Sequence, residues 1–251
     1  MQGLTALITG GGSGIGLATA KLMLEAGASV MIVGRDNSRL KEAAKSLGNP
    51  EQLKYVSGDV SSEGYANKLV KDTVKAFGAL HILVNNAGVF QTSGILDMQE
   101  EEFDYNVDIN LKGTWFMCKF ATRAMIPAGG AAIVNVSSLL ARQAYPGFPT
   151  SAYSAAKAGV LGLTKALAVE LAHHKIRVNA VIPAVVRTPI LETALGKETA
   201  DRMIERGAKA YPVGRVGEPE DVARAIVFLA NPANDWITGT ELVLDGGISA
   251  C

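Results

Sequence analysis

The stretch that decides the fold is a glycine-rich loop, Thr9-Gly10-Gly11-Gly12-Ser13-Gly14-Ile15-Gly16. It directly follows an apolar run at residues 4–9 and opens an amphipathic stretch at residues 15–26, so it joins a predicted strand to a predicted helix. Glycines let the backbone turn tightly there and approach a ligand, while free N–H groups and the helix dipole favour negative charge. We therefore predict a loop that binds the pyrophosphate of a dinucleotide; a tight turn without a ligand is the alternative.

Short aliphatic or β-branched runs recur along the chain, and helical segments separate them almost throughout. The runs cover residues 4–9, 29–33, 54–57, 82–85, 132–137, 177–182 and 241–244. Their near-continuous hydrophobicity is typical of strands that are buried on both faces of a parallel sheet. The alternation predicts an α/β fold with a doubly wound, Rossmann-type sheet of about seven strands and helices on both faces. We find no linker, so we expect residues 1–251 to form a single domain.

The composition favours a protein that acts on small molecules. The 24 Lys and Arg residues balance the 24 Asp and Glu residues, so no net charge attracts the chain to nucleic acid or an anionic membrane. The N-terminus does not resemble a signal peptide, and no apolar stretch approaches the ~20 residues of a membrane span. Two cysteines, Cys118 and Cys251, make neither a disulfide framework nor a metal-ligand spacing. We expect a cytoplasmic protein without a metal site.

Further motifs follow the predicted strands in order. They are Asp59-Val60 after the third strand, Asn85-Asn86-Ala87-Gly88 after the fourth, Ile109-Asn110-Leu111 on the next helix, Ser137-Ser138 after the fifth strand, and Tyr153-Ser154-Ala155-Ala156-Lys157. Each is weak alone, because a Y-x-x-x-K pattern can be a packing tyrosine with a solvated lysine, and Asn-Gly pairs favour ordinary turns.

Taken together, these motifs and the glycine loop resemble the pattern of the short-chain dehydrogenase/reductase family. Ile237-Thr238-Gly239 and Asp245-Gly246-Gly247 are similar to the closing strand of that family, so the resemblance runs from about residue 4 to 248. It implies an oxidoreductase that transfers a hydride between NAD(P)(H) and a ketone or secondary alcohol. It also implies a homo-oligomer, commonly a tetramer formed through two long helices, here about residues 103–125 and 152–172, and the C-terminal strand.

The resemblance assigns four catalytic roles. It makes Tyr153 the general acid/base, Ser138 the hydrogen-bonding partner of the substrate oxygen, and Asn110 the link from Lys157 through water to solvent. Lys157 follows Tyr153 by one helical turn and shares its face. Since a nearby ammonium favours a phenolate, we expect Lys157 to lower the pKa of Tyr153 below the usual ~10.

The resemblance also implies the cofactor contacts. The glycine loop would hold the pyrophosphate, the segment after the third strand would reach the adenine, and the segment after the sixth strand would contact the nicotinamide carboxamide. The expected residues are Gly10, Ser13, Gly14, Ile15, Gly16, Arg35, Asp59, Val60, Asn86, Ala87, Gly88, Tyr153, Lys157, Pro183, Val186 and Thr188. Ala184 replaces the usual glycine after Pro183, which leaves the local backbone path open.

The residues at the end of the second strand bear on whether the cofactor is NAD(H) or NADP(H). NAD-preferring Rossmann proteins place a carboxylate about 20 residues past the glycine loop to bind the ribose hydroxyls. Here Gly34 stands where that acid is expected, and Arg35, assisted by Arg39, offers donors to a 2′-phosphate. The pattern favours NADP(H). NAD(H) stays the alternative, because a small change of loop path would turn the Asp36 carboxylate toward the ribose.

Two segments are long enough to bear on substrate choice. The spacing between Ser138 and Tyr153 is longer than is usual in the family, and we expect the extra residues to bulge and line the substrate pocket through Tyr145 or Phe148, or else to contact a neighbouring subunit. Residues 187–214 break the strand-helix alternation and predict a lid over a largely apolar substrate, with its charges facing water.

Two rival functions remain at this stage. A 3-oxoacyl-acyl-carrier-protein reductase shares the motif set but would need a basic docking surface, and Lys112, Lys119 and Arg123 are too few and scattered to establish one. A catalytically silent nucleotide-binding regulator is the rival from another class. Such proteins usually lose the tyrosine, lysine or serine, whereas this chain retains all three.

Overall fold

Seven parallel strands form one sheet in the computed structural model, which describes residues 1–250. Cys251 lies outside the described residues, and Cys118 is a buried, free cysteine. The strands are Thr5–Thr9 (β1), Ser29–Gly34 (β2), Leu53–Ser57 (β3), Ile82–Asn85 (β4), Ala131–Val136 (β5), Ile176–Pro183 (β6) and Glu241–Leu244 (β7). Their order is β3-β2-β1-β4-β5-β6-β7. The predicted doubly wound sheet is thereby confirmed, with strand bounds within a residue or so of the apolar runs.

Helices cover both faces of the sheet. They are Gly14–Glu25 (α1), Asn37–Ser46 (α2), Glu63–Phe77 (α3), Glu100–Val107 (α4), Gly113–Met125 (α5), Ser151–Glu170 (α6), Pro189–Leu195 (α7), Lys197–Ala210 (α8) and Pro219–Ala230 (α9). None of the helices within residues 1–250 has the length and apolar character that crossing a membrane requires.

Alternate residues of a strand pack into different cores. Ala6 and Ile8 of β1 lie in the core formed with α1, α2 and α9, whereas Leu7 lies in the core formed with α3 and α5. All three side chains are fully buried. Because successive side chains of a strand point to opposite faces, a sheet with helices on both sides needs apolar residues at every position, which explains the unbroken hydrophobic runs.

The strand order reverses at the centre of the sheet. From β1 the chain builds outward through β2 to β3, and it then returns to add β4 on the other side of β1. The loops after β1 and β4 therefore diverge and leave a crevice at the carboxyl edge of the sheet. Open α/β sheets bind their ligands at such a crevice.

Candidate active site

A cleft of about 990 Å³ opens at the carboxyl edge of the sheet. It is lined by the segments that follow β1 to β6 and by the helices α7 and α8. Ser138, Tyr153, Lys157 and Asn110 all line it, as do all the expected cofactor-binding residues except Gly16. The structure thus brings together residues that are up to 178 positions apart, from Gly10 to Thr188.

The glycine loop is shaped by close packing against the segment after β4. Gly10 has φ +66°, and a Cβ there would lie 2.7 Å from Asn86 Nδ2. At Gly16 a Cβ would lie 2.3 Å from the Gly10 carbonyl oxygen. Neither position tolerates a side chain. Gly16 is buried beneath the loop, so its role is to let α1 approach the loop closely.

Thr9 and Asn86 hold the two sides of the crevice together. The Thr9 hydroxyl accepts hydrogen bonds from the backbone N–H groups of Asn86 (3.0 Å) and Ala87 (2.9 Å). In return, the Asn86 side chain donates to the carbonyls of Thr9 (3.0 Å) and Gly10 (3.2 Å). The expected Asn-Asn-Ala-Gly segment therefore positions the glycine loop directly.

The end of β2 presents cations to the cleft. Arg35 donates to the Tyr105 hydroxyl at 3.1 Å and stacks over that ring, and the stem of Arg39 lies beside Gly12. Asp36 caps α2 by accepting from the backbone N–H groups of Ser38 and Arg39. One oxygen of its carboxylate, Oδ1, is thereby engaged by the helix, as in a normal N-cap.

The remaining walls follow β3 and β6. One oxygen of Asp59 accepts from the Ser61 backbone and hydroxyl, which fixes the turn that carries Val60 into the cleft. Past β6, the Ala184 N–H donates to Leu244 and so continues the strand pairing. The backbone after Pro183, whose path the replacement of glycine by Ala184 had left open, therefore continues regularly alongside β7.

Two contacts hold the next residues of this segment. Val186 forms a parallel bridge with Gly217, and the Val185 N–H donates to the Tyr211 hydroxyl at 3.1 Å. Thr188 then faces the glycine loop, where its methyl group would lie 3.0 Å from a Cβ on Gly14. The segment expected to contact a nicotinamide is therefore anchored from both sides.

Lys157 is held to the end of β5 at both its side chain and its backbone. Its ammonium donates to the Val136 carbonyl at 2.9 Å, and its own carbonyl accepts from the Ser137 hydroxyl at 2.8 Å. A buried hydrogen bond from the Asn135 side chain to the Thr164 hydroxyl (2.9 Å) ties the same strand to α6 about two turns further on. These bonds set the depth of α6, and hence of Tyr153, in the cleft.

Tyr153 does not behave as the sequence predicts. Burial raises its pKa to about 12, and a hydrogen bond with Ser138 offsets only part of that rise. The expectation that Lys157 lowers this pKa was wrong for a physical reason. The ammonium lies 5.8 Å from the ring centre and bonds to Val136, and burial lowers the pKa of Lys157 itself to about 8.

Asn110 lies in a π-helical segment, Asp108–Lys112, between α4 and α5. Its side chain accepts from the Val89 N–H and donates to the carbonyls of Val89 and Asn106. A Cβ on Gly88 would lie 2.8 Å from Asn110 Oδ1 and 3.5 Å from Lys157 Nζ, so both side chains flank this glycine. Short π segments of this kind are frequent at functional sites.

Aromatic and lid residues form the rest of the cleft. Tyr145 and Phe148, from the long segment before α6, line it as predicted. Ile190, Leu191 and Met203 line it from α7 and α8. The charges of the lid do not all face away: Arg202 and Arg206 are exposed yet belong to the cleft wall, so they lie at its rim.

Several contributors were not identified from the sequence. Phe90, Gln91, Tyr105 and Tyr211 line the cleft, and Ser137 positions Lys157. Phe90 and Gln91 directly follow the Asn-Asn-Ala-Gly motif and Val89, and that position was the one available signal. Ser137 adjoins Ser138 in the motif quoted above, whereas Tyr105 and Tyr211 carry no local pattern.

A dinucleotide fits these residues. The loop offers backbone in place of side chains at Gly10, Gly12 and Gly14, beside the N-terminus of α1, and Arg35 and Lys157 place cations toward either end of the cleft. The fold and the cleft together define the class: a Rossmann-type α/β protein with a site suited to a dinucleotide.

Comparison with known proteins narrows the class. A family model described as enoyl-(acyl carrier protein) reductase matches residues 10–249. The chain is 37% identical to a 3-oxoacyl-acyl-carrier-protein reductase of Chlamydia muridarum, over 97% of this chain and 96% of the relative. It is also 37% identical to an NADP-dependent (R)-specific alcohol dehydrogenase of Lentilactobacillus kefiri, over 100% and 98%.

A solved structure is similar to this chain over its whole length. A short-chain type dehydrogenase/reductase from Mycobacterium marinum superposes with a TM-score of 0.93 at 32% identity, covering 100% of this chain and 97% of that one. The chain belongs to the short-chain dehydrogenase/reductase family, and it is an oxidoreductase that acts on CH–OH groups.

Proposed function

We propose that this chain reduces a ketone to a secondary alcohol, or catalyses the reverse, with NADP(H) as the favoured cofactor. The observation that carries the proposal is the convergence of Ser138, Tyr153 and Lys157 in one cleft with the glycine loop. Residues from β5, α6 and β1 meet there only in the folded chain.

Each side chain of the site has a separate role in the proposed reaction. A bound nicotinamide supplies the hydride in reduction and accepts it in oxidation. Ser138 hydrogen-bonds the substrate oxygen, and Tyr153 donates the proton to that oxygen in reduction or removes it in oxidation. Lys157 and the segment carrying Val186 and Thr188 hold the nicotinamide end of the cofactor.

Proton resupply would run through the buried polar groups behind Tyr153. The Lys157 ammonium lies 5.8 Å from the centre of the phenol ring, and Asn110 Oδ1 and Lys157 Nζ both lie beside Gly88. Because the pKa of Lys157 is about 8, this ammonium gives up a proton far more readily than an exposed lysine does. We assign the water-mediated path to solvent to these two residues.

Three observations support NADP(H). Gly34 occupies the position where NAD-preferring proteins carry an acid, so no carboxylate there repels a 2′-phosphate. Arg35 and Arg39 line the cleft next to Gly34, and Asp36 Oδ1 caps α2. The Lentilactobacillus kefiri relative is named as NADP-dependent. NAD(H) remains the alternative, to be decided by catalytic efficiency with each cofactor.

The direct test is Tyr153→Phe. We expect kcat for ketone reduction to fall about 10²- to 10⁴-fold, the usual contribution of a positioned general acid, while NADPH still binds. The matched control is Tyr55→Phe, an exposed tyrosine on β3. Near-normal turnover by Tyr153→Phe would contradict the assignment. A wild-type protein that binds NADPH but reduces no carbonyl would favour the silent-regulator alternative.

A second candidate is reduction of 3-oxoacyl thioesters on acyl-carrier protein, the reaction named for the Chlamydia muridarum relative. The surface charges count against it. Lys112 and Lys119 form exposed ion pairs with Asp108 and Glu63, and with Arg123 they remain too few and scattered to make a basic docking surface for an acidic carrier protein. Comparing acetoacetyl-acyl-carrier protein with free ketones separates the two candidates.

We also propose that α7 and α8 act as a lid, that the protein forms a homotetramer, and that it works in the cytoplasm. Self-association is supported by apolar surface on the expected interface elements. Phe103 of α4 and Trp115 of α5 are half-exposed, and the edge strand β7 is partly exposed. Sedimentation equilibrium on the purified chain tests the tetramer.

A further inference from the structure

One hydrogen bond joins two walls of the cleft at the end where the adenosine half of the cofactor would bind. The Arg35 guanidinium, just past β2, donates through Nη1 to the Tyr105 hydroxyl of α4 at 3.1 Å. Asp59 and Val60, which are expected at the adenine, line the same cleft. Ile109, four residues after Tyr105, lines it as well.

The fold holds the two partners of this bond with different firmness. The Tyr105 ring packs against the buried core that the sheet forms with α3 and α5, and its hydroxyl side lines the cleft. Arg35 is exposed, and an exposed arginine side chain samples many rotamers. The bond to Tyr105 restricts Arg35 before a ligand arrives, and such preorganisation lowers the entropy cost of binding.

This tether leaves the positive charge of Arg35 available. The guanidinium forms no ion pair within residues 1–250, because its polar contacts are the Tyr105 hydroxyl and, at 5.7 Å, the centre of the same ring. The adjacent acid, Asp36, accepts from the backbone N–H groups of Ser38 and Arg39 through Oδ1. A guanidinium held by a hydroxyl rather than by a carboxylate keeps its attraction for an anion.

Tyr105 also keeps a donor of its own. Its hydroxyl accepts from Arg35, and no residue of the described chain accepts the hydroxyl proton. The bond between the two side chains is exposed, so a ligand in the cleft can reach both of them. A phosphate oxygen beside this bond can therefore accept from the guanidinium and from the hydroxyl together.

We propose that Tyr105 determines cofactor specificity: it fixes Arg35 against the 2′-phosphate of NADP(H) and donates its own hydroxyl proton to that phosphate. The inference rests on the NADP(H) preference within the proposed function, and it adds a residue of α4 to the residues at the end of β2. A phosphate monoester suits this pair because it carries negative charge and several strong acceptor oxygens. The 2′-hydroxyl of NAD(H) offers one neutral oxygen instead.

Binding measurements without turnover test the inference. Tyr105→Phe removes the hydroxyl and keeps the ring against the core, so its urea midpoint should match that of wild type. We expect the dissociation constant of NADPH to rise at least about tenfold, the size of one hydrogen bond to a charged group, and that of NADH to change less than about twofold. Fluorescence titration measures both constants.

Two further comparisons isolate the phosphate. Calorimetry with 2′,5′-ADP and 5′-AMP should show the same contrast in Tyr105→Phe without the nicotinamide half of the cofactor. Tyr65→Phe, on an exposed tyrosine of α3, is the matched control and should leave all four constants unchanged. In an Arg35→Leu background, Tyr105→Phe should weaken NADPH less than it does in wild type, because no guanidinium is left to fix.

The failures are distinguishable. A wild-type chain that binds NADH more tightly than NADPH would overturn the NADP(H) preference and this inference with it. If NADPH is preferred but its dissociation constant does not change in Tyr105→Phe, the role of Tyr105 alone is overturned. Equal weakening of NADPH and NADH would also overturn it, since the bond would then close over the adenosine instead of binding the phosphate. Fully additive losses in the double variant would overturn the positioning of Arg35.

Discussion

The ammonium of Lys157 lies 5.8 Å from the centre of the Tyr153 ring and donates its hydrogen bond to the carbonyl of Val136. Burial controls the titration of both groups: the pKa of Lys157 falls to about 8, and that of Tyr153 rises to about 12. Tyr153 therefore keeps its proton throughout the neutral range, which suits it to donate that proton to a carbonyl.

These pKa values predict opposite pH profiles for the two directions. The kcat/KM for ketone reduction should be flat below pH 8 and decline above it, as Lys157 loses the proton that resupplies Tyr153. Alcohol oxidation should instead rise with pH, because it needs the phenolate of Tyr153. Initial rates between pH 5 and 10 measure both. The downturn in reduction should vanish from the residual activity of Lys157→Met and persist in Lys75→Met, an exposed lysine on α3.

Cofactor preference should respond to Gly34→Asp. A Cβ at position 34 would lie 3.5 Å from the Leu40 side chain, an ordinary contact, so the aspartate fits without strain. Its carboxylate would accept from ribose hydroxyls and repel a 2′-phosphate. We expect the NADPH-to-NADH ratio of kcat/KM to drop more than about tenfold, equivalent to about 1.4 kcal/mol. Gly34→Asn is the control of equal shape, and fluorescence titration of each cofactor gives a second readout. An unchanged ratio would place the ribose elsewhere.

The Tyr211 hydroxyl should stabilise the nicotinamide segment. It accepts from the Val185 N–H, and Tyr211→Phe leaves that donor unpaired. We expect a loss of about 1 kcal/mol in the free energy of unfolding and a severalfold rise in the dissociation constant of NADPH. Urea denaturation and fluorescence titration measure these effects. Tyr65→Phe, on an exposed tyrosine of α3, should show neither.

Glu241 should anchor the segment that carries Tyr145 and Phe148. Its side chain is 8% exposed and forms ion pairs with Arg142, at the start of that segment, and with Lys165 of α6. Both partners are largely exposed, so we expect Glu241→Gln to cost only about 1 kcal/mol of stability at pH 7. Looser loop packing should raise KM for substrate more than it changes kcat. Glu51→Gln, at an exposed position, serves as control.

The acid stability of the same ion pairs follows from the sign of the pKa shift. Burial alone raises the pKa of Glu241, but hydrogen bonds from Lys165 and Arg142 outweigh it and lower the net value. The native state therefore binds this proton less readily than the unfolded state. The stabilisation is present above the unfolded pKa of ~4.3 and is lost as pH falls through the lower folded value. Urea midpoints should converge for wild type and Glu241→Gln as pH drops, and a constant gap would contradict the charge argument.

The sequence by itself determined the fold class, because the information is local. Unbroken apolar runs indicate strands buried on two faces, and a glycine-rich run between a strand and a helix indicates a tight turn: Gly10 and Gly16 pack closely against neighbouring backbone, and Gly14 has φ +51°. The roles of Ser138, Tyr153 and Lys157 came instead from the resemblance to the family motif set, because each motif alone is too short to indicate a function. Their place in one cleft follows from the strand order, which the structure supplies; the alternation of strand and helix predicts only a doubly wound sheet.

Only the tertiary structure decided the properties that depend on contacts between distant segments. The predicted lowering of the Tyr153 pKa failed because burial, not the neighbouring lysine, controls it, and burial is a property of the whole fold. Tyr211 gained a role for the same reason: a hydroxyl that lies beside a distant N–H leaves no pattern in the sequence. Residue type and spacing report local geometry, whereas desolvation and long-range hydrogen bonds exist only once the chain has packed.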